Sequence, residues 1–168
     1  MREFEGKAAL AVGALYIGFV GWSIYGAIWP VETYIFRMVH MGFIFALAFC
    51  VYPVRQNAGR WTIWPDLLLA LLGIASIAYS FIDMDQFIRR STLPEPLDLL
   101  FGIVAILLLL EISRRIVDNT FTLVVVGFLI YMYFGNYFPD VISHKGYDLD
   151  RIVGHMYMTL EGIFGVPL

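Results

Sequence analysis

Glu111, Arg114 and Arg115 are the densest set of chemically capable side chains next to an apolar run in this sequence. On a helix the acid stands three and four residues ahead of the two bases, so one carboxylate can face both guanidinium groups, with the acid on the favoured N-terminal side. Arg37 and His40 are three residues apart and share a helical face, where they could carry a proton or a ligand. His144 and His155 have acidic neighbours but fit no metal-ligand spacing, and both are expected to be polar residues of an exposed segment. No nucleophile with a base, no paired carboxylates and no phosphate-cradling glycine loop can be named. An enzyme is therefore not expected, and neither is a cofactor or a metal.

The elements that must position these groups are apolar. The run from Leu97 to Arg115 has no charge between Asp98 and Glu111 and no polar face. As a helix it measures roughly 28 Å, close to the hydrocarbon thickness of a bilayer. Its terminal arginines can reach headgroups, and Asp98 is expected to mark the opposite surface. The chain is 60% hydrophobic and 15% charged, with a net charge of −3, and its mean hydropathy is +0.77. These values lie outside the soluble range and give the class of an integral membrane protein. The basic residues form no stripe, so no nucleic-acid partner is expected. Cys50 is the only cysteine, which excludes an internal disulfide.

Four further apolar runs flank the central one: about 8–29, 34–54, 67–82 and 121–138. The first is too long for a signal-peptide core and is expected to be retained as a span. Its Gly13, Gly18, Gly21 and Gly26 suit close packing against protein. The third run is short and needs Trp64 and Asp83 near the surfaces. Between the third and central runs, Met84, Phe87 and Ile88 can share one side of a short interfacial helix, and a solvated loop is the alternative. Asp118-Asn119-Thr120 offers a helix start. Leu149, Ile152, Val153, Met156, Tyr157 and Leu160 have helical spacing, for an amphipathic helix or the approach to another span. The fold class is thus all-α: a polytopic membrane bundle of about five transmembrane helices with a short interfacial helix.

In that setting Arg37 is expected to snorkel to the interface and His40 to hydrogen-bond a neighbouring helix. Glu111, Arg114 and Arg115 are expected to form a structural ion pair and a lipid anchor in preference to a transport site, because nothing nearby has the form of a discontinuous helix pair around a mid-membrane substrate. With a cytoplasmic N-terminus, Arg2, Lys7, Arg55, Arg60, Arg114 and Arg115 fall inside, while most acids and Arg37, Arg89, Arg90, Lys145 and Arg151 fall outside. This balance favours N-inside and C-outside.

The order of polar landmarks resembles the N-terminal part of the fused permeases of TRAP transporters that work with TAXI-class solute-binding proteins. The matching pieces are Arg37-x-x-His40, Tyr52-Pro53, Pro65-Asp66, Pro96-Leu97-Asp98, Glu111-x-Ser113-Arg114-Arg115 and Phe134-Gly135. The most specific is the string from His144-Lys145-Gly146-Tyr147 through Arg151, His155, Tyr157, Thr159 and Glu161-Gly162-Ile163-Phe164-Gly165 to Pro167-Leu168. The resemblance implies that residues 1–119 are a small-subunit-like four-helix region. Residues 120–168 would then be a connecting transmembrane helix and the start of the segment leading to a large permease region. It implies a scaffold role in binding-protein-dependent, ion-gradient-driven uptake of organic acids across a bacterial or archaeal inner membrane. The implied partners are the large permease subunit or region, a periplasmic TAXI-type binding protein and membrane lipids, with no substrate site in this chain. In that family the C-terminal string leads into the large region. The chain is therefore expected to be a fragment or a subunit split at this point, and not to transport alone. The rival expectation, from the residues alone, is a self-associating channel or sensor with Arg37 and His40 facing a shared pore.

Overall fold

A computed structural model describes residues 2, 4–54 and 63–165 of the 168-residue chain. Arg55, Gln56, Asn57, Arg60 and Trp61 of the expected basic loop, and Val166-Pro167-Leu168 of the C-terminal string, lie outside the described residues. Among the described residues there are seven α-helices and no strand. They are α1 (Gly6–Ile28), α2 (Thr33–Val51), α3 (Ile63–Ser80), α4 (Met84–Arg89), α5 (Pro96–Ile116), α6 (Asn119–Phe134) and α7 (Leu149–Met158). Five helices, Gly6–Ile28, Thr33–Val51, Ile63–Ser80, Pro96–Ile116 and Asn119–Tyr137, are long and apolar enough to cross a membrane. The last of these is α6 continued by the 3-10 turn Gly135–Tyr137.

Local chemistry sets most of the boundaries. Pro30 follows the end of α1, and the Glu32 carboxylate accepts from the Tyr34 and Ile35 amides to open α2. The helix α3 begins earlier than the apolar run, because Pro65 fits a first helical turn that also contains Ile63 and Trp64. Asp83 accepts from the Gln86 amide at 3.3 Å to start α4, and Asp118 accepts from the Thr120 amide at 2.9 Å to start α6. Pro96 stands at the first turn of α5. The segment at Met84–Arg89 is thus a helix, with Phe87 buried and Asp85 and Arg89 exposed.

The described residues form two compact units that divide between Tyr79 and Ser80. In the first, α1 packs on α2 through Gly18 and Gly26, where an added Cβ would meet Phe43 and Phe36. Gly13 and Gly21 meet nothing within 4 Å, so only half of the glycine pattern serves contacts within the chain. Rings line the α1–α2 seam: Trp22 lies 5.8 Å from Phe36, and the Trp22 indole donates to the Phe36 carbonyl at 3.1 Å. Phe45 and Phe49 are fully buried, and Phe45 fills the space left by Gly73 of α3.

The second unit is organised by α5. Gly102 lets α7 approach until Val153 and Tyr157 occupy the place of a side chain, and Gly154 does the same for the Ser91 carbonyl. Ile152, Val153, Tyr157 and Met158 are buried while Arg151 and His155 are exposed, so α7 is amphipathic. Beyond α7 the chain turns back: the Ile163 amide donates to the Met156 carbonyl at 2.7 Å, and Phe164 is buried 6.2 Å from the Tyr157 ring. The many exposed leucines and isoleucines of α3, α5 and α6 are ordinary for helices whose solvent is lipid, where helix association rests on packing and polar contacts.

Candidate functional site

Among the described residues, charged side chains near the ends of the apolar helices pair in three clusters. Near the C-terminal end of α5, Glu111 Oε2 accepts from Arg114 Nε at 2.8 Å. Its Oε1 accepts from Arg114 Nη2 at 2.8 Å and from Arg115 Nε at 2.7 Å. The Arg115 side chain is 2% exposed, against 40% for Arg114. One carboxylate therefore holds both guanidinium groups, one inside the fold and one at its surface. The two cations also face the negative end of the helix dipole.

A second cluster was not legible as a site. Asp98 is fully buried and accepts from Arg90 Nε and Nη2 at 3.2 and 3.1 Å, and from the Glu95 amide at 2.9 Å. Asp98, expected near a membrane surface, lies in the first turn of α5 and ties that helix to the 3-10 turn Arg90–Thr92. The pairing is bidentate, the geometry that suits a guanidinium on a carboxylate. Arg90 lies 3.5 Å from Glu95 as well.

The third cluster belongs to the first unit and was also missed. Arg2 Nη2 donates to Asp66 Oδ2 at 2.8 Å, Arg2 Nη1 donates to the Cys50 carbonyl at 3.1 Å, and the Arg2 amide donates to the Val51 carbonyl at 2.8 Å. One residue thus joins the C-terminal end of α2 to the first turn of α3, and Asp66 is fully buried beneath it. Periodicity gives no signal for such a pair, because its members are 64 residues apart.

Arg37 and His40 sit on α2. The His40 ring lies 4.6 Å from Phe19 and 5.9 Å from Phe36. The expected hydrogen bond from His40 to a neighbouring helix is not made by Nδ1, which is buried with no partner among the described residues. Arg37 and His40 belong to the first unit, and Glu111, Arg114 and Arg115 to the second.

His144 corrects an expectation. It is not a solvated loop residue: its Nδ1 accepts from the Gly146 amide at 3.1 Å, which leaves Nε2 to donate to the Tyr131 carbonyl at 3.1 Å. The ring packs edge-on to Tyr131 at 4.8 Å and against Gly135. Gly146 has φ +71 and an added Cβ would lie 2.9 Å from the Tyr133 carbonyl, so only glycine suits the turn. His155 is exposed as expected, 3.8 Å from Glu161. Among the described residues no group of three or more His, Cys, Asp or Glu is placed to hold a metal ion.

Helix lengths, apolar surfaces and end-of-helix ion pairs together define a multi-pass helical membrane protein. Compared with known protein families, curated proteins and solved structures, the chain finds no match.

Proposed function

We propose that the chain is a membrane scaffold or partner component of a TRAP transporter, a tripartite ATP-independent periplasmic system for ion-gradient-driven, binding-protein-dependent uptake of organic acids. The observation that carries this reading is how little of two spans the chain itself covers. Within the most apolar window of each, 0% of Gly6–Ile28 and 6% of Asn119–Tyr137 is buried. Both helices leave most of their apolar surface uncovered within their own units, while Arg2, Asp66, Arg90, Asp98, Glu111, Arg114 and Arg115 at helix ends are paired. A scaffold that works by helix packing needs that distribution. In this reading the chain spans a bacterial or archaeal inner membrane five times, with its N-terminus cytoplasmic and its C-terminus periplasmic, and α4 lies in the interface. Its partners are a large permease subunit or region and a periplasmic TAXI-type binding protein.

The test is a mild-detergent pull-down of the tagged chain from its native membrane, with copurifying proteins identified by mass spectrometry. Recovery of a large many-helix permease, or of a longer natural chain that continues into one, supports the proposal. Recovery as a stable, unpartnered monomer overturns it.

A self-associating channel is the second reading, and the unpartnered Nδ1 of His40 favours it. It requires a defined homo-oligomer that conducts ions after reconstitution. A His40→Ala variant with unchanged conductance removes its support.

A further inference from the structure

Three hollows on the second unit adjoin through shared residues. The first is an apolar groove of about 430 Å³ between α5, α6 and α7, walled by residues that include Ile103, Leu107, Ile130, Leu149 and Ile152. Ile152 also lines a second hollow of about 260 Å³, together with Met132, Tyr147, Arg151 and His155. Arg151 and His155 then line a third, of about 420 Å³, where Ser91, Thr92 and Thr159 supply hydroxyl groups. Passing from one to the next, the walls change from wholly apolar to cationic and hydroxylated.

The direction of this change matches a bilayer. Ser91 and Thr92 precede the first residue of α5, so the polar hollow is at the end of that helix. Ile103 and Leu110, which bound the groove, lie roughly 10 and 20 Å further along α5 at 1.5 Å per residue. The cationic end therefore meets the headgroup layer and the groove runs into the hydrocarbon. The Arg151 guanidinium lies 5.5 Å from the Tyr147 ring centre and, among the described residues, forms no ion pair. Its own fold leaves its charge unmatched. His155 stands one turn along on the same face of α7, and its contact with Glu161, at 3.8 Å between groups 47% and 80% exposed, is weak.

We infer that these neighbouring hollows together bind one glycerophospholipid, with its phosphate on Arg151 and His155 and an acyl chain in the groove between α5 and α6. A phosphate diester supplies the anion that Arg151 lacks. An acyl chain covers apolar walls that a free anion would leave bare. The inference rests on the membrane placement of α5 and α6 and not on the transport role, so its failure leaves the transporter reading untouched.

Native mass spectrometry of the delipidated, detergent-solubilised chain tests it, with titrations of phosphatidylglycerol, phosphatidylcholine of the same acyl chains, and inorganic phosphate. Wild type should take up one phosphatidylglycerol in preference to inorganic phosphate. Arg151→Gln should weaken that binding roughly tenfold, the loss of one charge-assisted hydrogen bond. Ile130→Trp and Leu107→Trp, on two walls of the groove, should each weaken lipid binding and leave phosphate binding as it was; having two such variants guards against one that fails to fold. Equal lipid binding by wild type and all variants would mean nonspecific boundary lipid and overturn the inference. So would phosphate binding as tight as lipid binding, which would reduce the site to a bare anion pocket. Tight phosphatidylcholine binding with no effect of Arg151→Gln would leave the groove without its proposed headgroup contact and would also overturn it.

Discussion

Replacing Arg90 by alanine tests whether the second unit is held by a charge pair whose carboxylate is out of water's reach. Asp98 is fully buried and Arg90 holds it through two hydrogen bonds of 3.1 and 3.2 Å. Removing one partner of a desolvated pair costs about 3–5 kcal/mol, because the remaining charge has lost both its counterion and its water. The Arg90 side chain is 25% exposed and the Glu95 amide would still donate to Asp98, which places Arg90→Ala at the lower end, about 3 kcal/mol. Asp98→Ala is milder, about 1–2 kcal/mol, since Arg90 keeps some access to solvent and a carboxylate, Glu95, at 3.5 Å. The double variant removes the buried charge along with its partner, so it should cost less than Arg90→Ala alone. Unfolding by SDS in mixed micelles, followed by far-ultraviolet circular dichroism, measures all three. Hydrogen exchange in α7 gives a second readout, because Gly154 packs on the Ser91 carbonyl of the same turn as Arg90. A double variant less stable than Arg90→Ala, or an Arg90→Ala no worse than Arg89→Ala, would refute the reasoning.

Glu111→Ala should cost about 3 kcal/mol in the same assay, because it takes the carboxylate away from Arg115, whose side chain is 2% exposed; Arg114→Ala, at 40% exposure, should change stability by less than about 1 kcal/mol. Gly102→Leu should push α7 off α5 at a cost of about 2–3 kcal/mol, with loss of exchange protection in α7, while Gly127→Leu, with nothing within 4 Å, should be neutral. Tyr157→Phe leaves the Ser80 hydroxyl without its 3.0 Å bond to Tyr157 and should cost about 1–2 kcal/mol by thermal unfolding in detergent. His144→Ala removes the link between the Tyr131 carbonyl and Gly146; limited proteolysis should then cut near Val141, which is 96% exposed, faster than in wild type.

The elements that could be read from the sequence are those whose signal lies within one helix. Each expected apolar run is a helix in the structure, because apolar composition over a bilayer-length segment constrains the backbone whatever its partners. The start at Asp118 was legible because a cap acts on an amide two residues away, whereas the Asp83 cap of α4 was not read from the sequence. The Glu111 pairings were legible for the same reason, being spaced three and four residues along one helix. The roles of Arg2, Asp66, Arg90 and Asp98 were not. Their partners come from other elements, and a charge near the end of an apolar run looks alike whether it faces headgroups or a buried counterion. His144 was misread because its partners are backbone groups, Tyr131 and Gly146, which leave no side-chain signature.

Asp66 and Asp98 show one device used twice. Each lies in the first turn of a membrane-length helix, each is fully buried, and each is paired with an arginine from a preceding segment. The helix N-terminus favours the carboxylate, and the arginine allows that carboxylate to be enclosed by protein. The start of the helix is thereby fastened to the preceding element: Arg2 brings the end of α2 to α3, and Arg90 brings the turn after α4 to α5. A charge used in this way fixes where a span begins and cannot also serve a moving ligand without releasing that join. The two fully buried acids, Asp66 and Asp98, are thus committed to holding helices in place.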